Sequence, residues 1–267
     1  MPTILSAQQV TKSYSSSGTD VVAVLNLSLD IEEGELVCML GASGCGKSTM
    51  LNLFAGFTTP SSGRVLLRDR PIAGIEPRCG MVFQSYALFP WKTVRQNVEF
   101  PLRMRGLARS ERRAMADFFI DLVQLDGFAD HYPAELSGGM QQRVTLARCL
   151  AADPEVLLMD EPFAALDAMT RQVMQDELLR IQRQSGKTIV FITHNIDEAI
   201  VLGHRIVVMS ARPGRIRRII PNPLPQPRDI AVQTSTAFAD LKTEIWREVE
   251  GEVAQHIVQS RLAGSAQ

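Results

Sequence analysis

The segment Gly41–Thr49 constrains the fold of this chain more than any other feature, because few local structures accommodate its spacing. It reads Gly-Ala-Ser-Gly-Cys-Gly-Lys-Ser-Thr and follows the short apolar run of residues 35–40. A loop with the pattern G-x-x-x-x-G-K-S/T wraps phosphate oxygens in backbone N–H groups when it joins a strand to a helix. We therefore predict a buried parallel strand before the loop and a helix over residues 47–55 after it.

This phosphate loop predicts a nucleotide site. Lys47 is expected to reach the β- and γ-phosphates, and the Ser48 hydroxyl is expected to ligate Mg²⁺. The alternative is a glycine-rich turn with an incidental lysine, which the strand–loop–helix context disfavours. The predicted nucleotide-binding residues of the loop are Gly41, Ala42, Ser43, Gly44, Cys45, Gly46, Lys47, Ser48 and Thr49.

Two carboxylates close a second apolar run, Val-Leu-Leu-Met-Asp-Glu over residues 156–161. Ligands gather at the carboxyl ends of strands in an open parallel sheet, so Asp160 is predicted to ligate Mg²⁺. Glu161 points the opposite way and is predicted to orient and deprotonate the water that attacks the γ-phosphate. The alternative is two solvated acids at a strand end. His194 follows the run 188–193 and is predicted to hydrogen-bond the γ-phosphate or that water.

A second glycine-containing turn lies at residues 136–140, Leu-Ser-Gly-Gly-Met, without a strand before it or a lysine inside it. One subunit that already holds a complete phosphate loop does not need a second phosphate-binding turn for its own nucleotide. Since the turn opens a predicted helix over 141–152, it offers N–H groups and a helix dipole to an anion. We predict that Ser137, Gly138 and Gly139 complete the nucleotide site of another copy.

Apolar runs that alternate with helical patterns predict an α/β fold, an open sheet with helices on both faces. Residues 4–10 and 21–31 alternate apolar and polar side chains, which predicts antiparallel strands joined by a loose loop over 15–18. The remaining predicted strands are 65–67, 81–83, 156–159, 188–193 and 205–209, and the remaining predicted helices are 110–124 and 168–185.

The chain is predicted to have three parts. Residues 1–84 and 153–220 form the sheet domain, and residues 85–152 form a helical insertion. Residues 221–267 form the third part, in which Pro-Asn-Pro-Leu-Pro-Gln-Pro at 221–227 predicts an extended linker. Beyond the linker one helical stripe of apolar residues predicts an amphipathic C-terminal helix, with Phe238, Leu241, Ile245, Val249, Val253 and Ile257 on the stripe.

Composition excludes several classes of protein. The chain of 267 residues is 45% hydrophobic and 21% charged, as is typical of soluble globular proteins. Its formal net charge of -1 argues against a nucleic-acid partner, which would require a basic excess. The four cysteines form no CxxC pair, which favours reduced thiols. Because neither a secretory signal nor a membrane-spanning run is present, work at a membrane would require a partner protein.

Together these motifs resemble those of the ATP-binding subunits of ABC transporters, from Ile4 to about Ile220. The matches are 41–49 with Walker A, Gln84 with the Q-loop glutamine, 136–140 with the signature sequence, 156–161 with Walker B, 165–167 with the D-loop and His194 with the H-loop histidine. Tyr14 occupies the position of the aromatic residue that stacks on adenine, with a simple loop aromatic as the alternative.

The resemblance implies a P-loop NTPase sheet with an antiparallel β subdomain and an inserted helical subdomain. It implies a head-to-tail dimer that binds two ATP molecules, in which the phosphate loop of one copy faces Ser137, Gly138 and Gly139 of the other. The implied catalytic residues are Glu161, His194, Gln84 and Lys47, and the implied Mg²⁺ ligands are Ser48, Gln84 and Asp160. One departure concerns Met140, because the family's signature usually ends in glutamine.

Four segments are similar to the nitrate, sulfonate and taurine importer branch of the family: 83–91, 160–171, 210–215, and Pro-Arg-Asp at 227–229 with the helix that contains Ile-Trp-Arg at 245–247. This similarity implies an ATPase that energises import of a small anion at the cytoplasmic face of the inner membrane. Its implied partners are a second ATPase subunit, transmembrane permease subunits and, indirectly, a periplasmic or extracellular solute-binding protein. The apolar stretch 86–91 predicts the surface that receives the permease, with local core as the alternative.

Two other functions are weighed against import. The first is the ATPase of an exporter or a lipid-transfer system. Only the segments that are similar to the importer branch argue against it. The second is a soluble ABC ATPase that acts on DNA or ribosomes. Such proteins usually carry two cassettes or a long coiled-coil insertion, whereas this chain has one cassette and a compact insertion between Gln84 and Ser137.

Overall fold

The computed structural model describes residues 1–16 and 19–264. In chain order the strands are β1 (Thr3–Ser16), β2 (Thr19–Glu32), β3 (Leu36–Leu40), β4 (Ser62–Leu67), β5 (Arg70–Pro71), β6 (Cys79–Val82), β7 (Val156–Asp160), β8 (Thr188–Thr193), β9 (Arg205–Met209) and β10 (Ile216–Pro221). The helices are α1 (Lys47–Phe54), α2 (Val94–Met104), α3 (Arg109–Leu122), α4 (Gly138–Ala151), α5 (Ala168–Ser185), α6 (Ile196–Leu202), α7 (Ile230–Gln233) and α8 (Thr236–Gly264).

Two compact units divide the chain. Unit 1 comprises Met1–Glu76 and Val190–Gln267, and unit 2 comprises Pro77–Ile189. Unit 2 therefore contains β6 and β7 in addition to the helical block predicted for residues 85–152. The predicted domain boundaries stay a prediction.

An antiparallel sheet in unit 1 has the strand order β2-β1-β4-β5. Pairing between β1 and β2 continues as far as Ser16 and Thr19, so the loose loop predicted over 15–18 is wrong for residues 15 and 16. The Ser15 hydroxyl donates to the Asp20 carboxylate and fixes the end of this hairpin. Residues 17 and 18 of the predicted loop lie outside the described residues.

The strand before the phosphate loop, β3, is buried along its whole length, as the apolar run predicts. It pairs in parallel with β9, and the register runs from Val37 opposite Arg205 to Leu40 opposite Val208. Because the two strands are parallel, the segments that follow them leave the same edge of the sheet. One of those segments is the phosphate loop, and the other is the turn that leads from β9 into the antiparallel strand β10.

Within unit 1, the C-terminal helix α8 packs against α6, β9 and β10. The predicted apolar stripe is buried at Phe238, Leu241 and Ile245, whereas Val249 is half-buried. The side chains of Val253 and Ile257 lie outside the described residues. Three surface ion pairs border the stripe: Lys242–Asp197 at 2.7 Å, Arg218–Glu244 at 2.6 Å and Arg217–Glu248 at 2.8 Å.

The proline-rich segment 221–227 was predicted to be an extended linker, and this prediction is wrong in part. Its first residue closes β10, and the Asn222 amide donates to the carbonyls of Ile200 (2.7 Å) and Gly203 (2.9 Å). Leu224 is buried. The segment is therefore a packed connection, since its polar and apolar side chains both find partners in unit 1.

In unit 2, β6 and β7 pair in parallel, and helices α2, α3 and α4 pack together. Residues 85–93, at the start of the predicted helical insertion 85–152, contain no helix. The first helix of unit 2, α2, begins at Val94, and Thr93 and Gln96 form a capping box at its N-terminus. The predicted helix 168–185 matches the bounds of α5.

Candidate nucleotide site

The phosphate loop in unit 1 depends on two glycines in left-handed backbone conformations. Gly44 has φ +79° and Gly46 has φ +89°, values that L-residues with a Cβ seldom adopt. A Cβ on Gly46 would also lie 2.8 Å from the carbonyl oxygen of Ala23 in β2. The glycines therefore permit both the fold of the loop and its close approach to the neighbouring hairpin.

Lys47, the first residue of α1, places its ammonium group inside this loop. Its Nζ atom donates to the carbonyl oxygens of Gly41 (2.7 Å) and Ala42 (3.1 Å), and the side chain is only 5% exposed. The buried Cys45 sulfur lies 3.7 Å from the same Nζ atom. Burial raises the pKa of the Cys45 thiol, so the thiol stays neutral and the lysine supplies the charge of the loop.

Tyr14 lies near the end of β1 opposite Val21, and its side chain is 42% exposed. The Lys12 ammonium lies 5.0 Å from the centre of the ring, a cation–π distance. The same hairpin reaches the phosphate loop through Ala23. An exposed aromatic ring on a hairpin that touches the loop suits a planar base, and stacking on adenine stays a prediction.

His194 directly follows β8 and is exposed. Its neighbours hold the backbone on both sides: the Asn195 N–H donates to Thr193 Oγ1 at 3.0 Å, and the Glu198 N–H donates to Asn195 Oδ1 at 3.2 Å. The Thr193 hydroxyl donates in turn to the Glu198 carboxylate. This network fixes the histidine's position in the chain, while its role at the γ-phosphate stays a prediction.

The two carboxylates lie at the carboxyl end of β7 in unit 2, as predicted. Asp160 is the last residue of the strand, and Glu161 follows with φ +44°, a left-handed value for a side chain of this size. Such backbone outliers cluster at functional sites. Gln84 follows the parallel strand β6, in which Val82 pairs with Met159 of β7, so this edge of unit 2 carries Gln84, Asp160 and Glu161.

The signature segment is not a turn, and this part of the prediction is wrong. Gly138 and Gly139 form the first turn of α4, which begins three residues earlier than predicted, and Ser137 caps the helix by accepting from the Met140 N–H at 3.3 Å. A Cβ on Gly138 would lie 2.9 Å from the Tyr86 hydroxyl. A Cβ on Gly139 would lie 2.6 Å from Thr170 Cγ2, and neither glycine has a positive φ, so what they provide is space rather than backbone freedom.

Helix α4 also holds the segment that follows Gln84. The Thr145 hydroxyl donates to the Tyr86 carbonyl at 2.9 Å, and Arg148 donates to the Ala87 carbonyl at 2.8 Å. The Arg148 guanidinium also lies 5.6 Å from the centre of the Phe89 ring. Sequence reasoning missed these two anchoring residues, although their spacing of three on one helix face is a signal that could have found them.

The D-loop residue Asp167 caps α5 by accepting from the Met169 N–H at 3.1 Å and the Thr170 N–H at 3.0 Å. Hydrogen bonds from the Thr170 backbone and hydroxyl lower the pKa of the Asp167 carboxyl. Arg171 donates to the Leu166 carbonyl at 2.8 Å. The segment before α5 therefore has a fixed conformation.

The predicted site residues divide between the two units. Unit 1 brings together the phosphate loop and the Tyr14 hairpin and also carries His194, whereas unit 2 carries the other motifs. The site residues of unit 2 are Gln84, Ser137, Gly138, Gly139, Asp160 and Glu161. Each unit by itself therefore holds only part of the predicted ATP site.

A strand, a glycine loop with a buried lysine and a helix define a P-loop nucleotide-binding protein. The family model described as ABC transporter matches residues 24–164. The chain belongs to the ABC transporter ATPase family, which confirms the predicted α/β fold class and ATP hydrolysis as its activity.

Three relatives illustrate the match. An uncharacterized ABC transporter ATP-binding protein of Methanocaldococcus jannaschii is 46% identical over 253 residues, 95% of this chain and 94% of the relative. The taurine import ATP-binding protein TauB of Roseobacter denitrificans is 50% identical over 202 residues, 76% of this chain and 75% of the relative. An ATP-binding cassette solved as a dimer in a post-hydrolysis state with ADP and Pi has TM-score 0.73 and 35% identity, covering 82% of this chain and 98% of that structure.

Proposed function

We propose that this chain is the ATP-hydrolysing subunit that energises import of a small anion, such as taurine, another sulfonate or nitrate, through a membrane permease. The observation that carries the proposal is the phosphate loop, with its two left-handed glycines and the buried ammonium of Lys47. The identity to a taurine import subunit supports the direction of transport and the substrate class. No helix among residues 1–16 and 19–264 combines the length and apolar content that a membrane span requires.

Within the site, Lys47 neutralises the β- and γ-phosphates, and Glu161 accepts the proton of the attacking water. His194 donates to the γ-phosphate or orients that water. The hydroxyl of Ser48, the amide oxygen of Gln84 and the carboxylate of Asp160 would hold Mg²⁺, since all three offer the oxygen ligands that this ion prefers. When bound, Mg²⁺ offsets the negative charge that develops on the phosphate oxygens.

Two copies complete each site in this proposal. The first turn of α4 offers backbone N–H groups and partial positive charge next to Ser137, which suits a γ-phosphate held by the phosphate loop of the other copy. The dimeric cassette among the solved relatives supports this assembly. A dimer in which one copy lacks either its phosphate loop or its signature segment would have one incomplete site.

Mixing two inactive variants tests the shared site. Lys47→Ala removes the phosphate-loop charge, and Ser137→Asp keeps a capping oxygen but sets a negative charge against the γ-phosphate. Each variant alone should be inactive. An equal mixture should recover about a quarter of wild-type ATPase activity, because half of the dimers are mixed and each mixed dimer has one intact site in two.

The matched control pairs Lys47→Ala with Glu161→Gln, two variants that damage the same copy's half of the site. This mixture should stay inactive, since every site in a mixed dimer then carries a defect. If Lys47→Ala and Ser137→Asp also fail to restore activity while the wild-type chain hydrolyses ATP, each copy works with its own signature segment and the proposed dimer is wrong.

The permease is proposed to bind the aromatic segment 86–91 of unit 2. Trp91 is 69% exposed, and its ring lies 5.7 Å from the ring of Phe89. Buried Asn97 fixes the segment by accepting from the Phe89 N–H at 2.9 Å and donating to the Lys92 carbonyl at 3.0 Å. An exposed aromatic residue on a fixed backbone suits a partner helix, and through it the chain would lie at the cytoplasmic face of the membrane.

Trp91→Ala should lower the recovery of the permease when the tagged ATPase is purified from membranes. Phe118→Ala in α3 is the control, because Phe118 is also an exposed aromatic residue of unit 2 at 60%. Stimulation of the purified complex by a solute-loaded binding protein would support import over export. Equal permease recovery with both variants would place the docking surface elsewhere.

A further inference from the structure

The turn between β9 and β10 reads Ser-Ala-Arg-Pro-Gly-Arg over residues 210–215, and the proposed function assigns it no task. Because β3 and β9 are parallel neighbours, this turn and the phosphate loop leave the same sheet edge. Gly214 holds the turn in place: its N–H donates to the Ala23 carbonyl at 3.0 Å, and its carbonyl accepts from the Leu25 N–H at 2.9 Å. The turn is thereby fixed to the same hairpin that borders the phosphate loop.

The turn also touches the phosphate loop directly. A Cβ on Gly214 would lie 2.2 Å from the carbonyl oxygen of Cys45, so no larger residue fits without displacing the loop. A Cβ on Gly44 would lie 3.7 Å from Nη2 and 3.9 Å from Nε of Arg212. The Arg212 guanidinium therefore lies beside the left-handed glycine of the phosphate loop.

Among the described residues no carboxylate pairs with Arg212 or with Arg215 of the same turn, unlike the two arginines of β10. Arg217 and Arg218 pair with Glu248 at 2.8 and 3.0 Å. Arg212 is exposed, and its backbone has φ +25°, a left-handed value that is uncommon for a residue with a side chain. An unpaired cation beside a loop whose N–H groups already favour anions gains a partner only when an anion binds there.

We propose that Arg212 is a further nucleotide-binding residue, whose guanidinium contacts a phosphate of the nucleotide held by the loop Gly41–Thr49. The planar fork of arginine matches phosphate oxygens, and its charge adds to that of Lys47 from the outer side of the loop. Lys47 is buried, whereas Arg212 is exposed, so the two cations reach the nucleotide from different directions. The inference rests on the proposed nucleotide site.

Titration of the full-length chain with ADP and Mg²⁺ tests the inference without requiring two ATP-bound copies to associate. Arg212→Gln should weaken ADP affinity about five-fold, the size of one exposed ion pair. Arg212→Lys should recover part of the loss because it keeps the charge. Arg215→Gln, which removes another exposed arginine of the same turn, should bind ADP as the wild type does.

Salt and stability separate a phosphate contact from a structural effect. The difference between wild type and Arg212→Gln should shrink as salt rises, because added ions screen an exposed pair, and the melting temperature without nucleotide should not change. Equal ADP affinity of wild type and Arg212→Gln, or a loss that is independent of salt or shared by Arg215→Gln, would overturn the inference. The ADP affinity of Lys47→Ala is measured alongside. If this variant binds ADP as tightly as the wild type does, the proposed nucleotide site itself is wrong.

Discussion

The two glycine-containing motifs of this chain use glycine for different physical reasons. In the phosphate loop, Gly44 and Gly46 supply left-handed backbone that other residues seldom adopt. In the signature segment, Gly138 and Gly139 lie in the first turn of α4. There the absence of a side chain makes room for neighbouring side chains. Glycine thus meets a conformational requirement in one motif and a steric requirement in the other.

The largest effect is expected at the phosphate loop. Gly46→Ala should lower nucleotide affinity by about 100-fold, the equivalent of roughly 3 kcal/mol of strain that the phosphate loop relieves by moving. The added Cβ must displace the Ala23 carbonyl, 2.8 Å away, in a backbone conformation that already disfavours it. Titration with ATP and Mg²⁺ in the Glu161→Gln background measures the affinity.

The control for Gly46→Ala is Gly186→Ala at the C-cap of α5. Gly186 also has a positive φ of 63°, but a Cβ there would meet no atom within 4 Å. Gly186→Ala should therefore lower the unfolding free energy by about 1 kcal/mol, because alanine disfavours the left-handed backbone conformation. It should leave nucleotide affinity unchanged. Equal losses of affinity in both variants would mean that general destabilisation of the chain, and not displacement of the phosphate loop, causes the effect.

A smaller effect is expected in the signature helix. Gly139→Ala brings a Cβ to 2.6 Å from the Cγ2 methyl of Thr170, and it should lower the unfolding free energy by about 1–2 kcal/mol. Helix propensity works in the opposite direction, since alanine is favoured over glycine by about 1 kcal/mol, so a loss shows that the contact dominates. Chemical denaturation of the purified chain measures the difference.

Thr170→Ser provides the compensating variant, because it removes the Cγ2 methyl but keeps the hydroxyl that donates to Asp167 at 2.7 Å. Gly139→Ala combined with Thr170→Ser should recover the stability of Thr170→Ser alone. If the loss of unfolding free energy in the double variant equals the sum of the losses in the two single variants, a requirement other than space governs position 139.

The smallest effect is expected at the end of the signature. Met140→Gln restores the residue that the family usually carries, and the unfolding free energy should change by less than about 0.5 kcal/mol, as at other positions away from the core. Ser137 and the two glycines keep their backbone and hydroxyl groups, so ATP hydrolysis should persist in both chains. The ratio of solute transported to ATP hydrolysed is expected to change, and an unchanged ratio would make this side chain a bystander.

Sequence reasoning works best where the ends of an element are encoded by adjacent residues. Helix α5 begins behind Asp167, which caps it, and ends at Gly186 in the left-handed conformation, so both ends are visible in the sequence. The strands before and after α6 were likewise predicted with their observed bounds, since each is a short apolar run. The motif residues of the site follow from spacing in the same way.

Other features depend on contacts with distant residues, which local patterns do not encode. The glycine pair was predicted to form a turn before the helix 141–152, yet Ser137 caps a helix that already includes both glycines. The segment after Gln84 has no helix and is held by Thr145 and Arg148 of α4. The approach of Arg212 to the phosphate loop follows only from the pairing of β3 with β9.

The order in which the chain is synthesised has a consequence for its assembly. The Leu36 N–H at the start of β3 donates to His204 Nδ1 at 2.8 Å, and these residues lie 168 positions apart. At ribosomal speeds of about 5–20 residues per second, β3 waits on the order of ten seconds or more for β9. During that interval an entirely apolar strand lacks its neighbour, so slower translation between the two should increase the demand for chaperones.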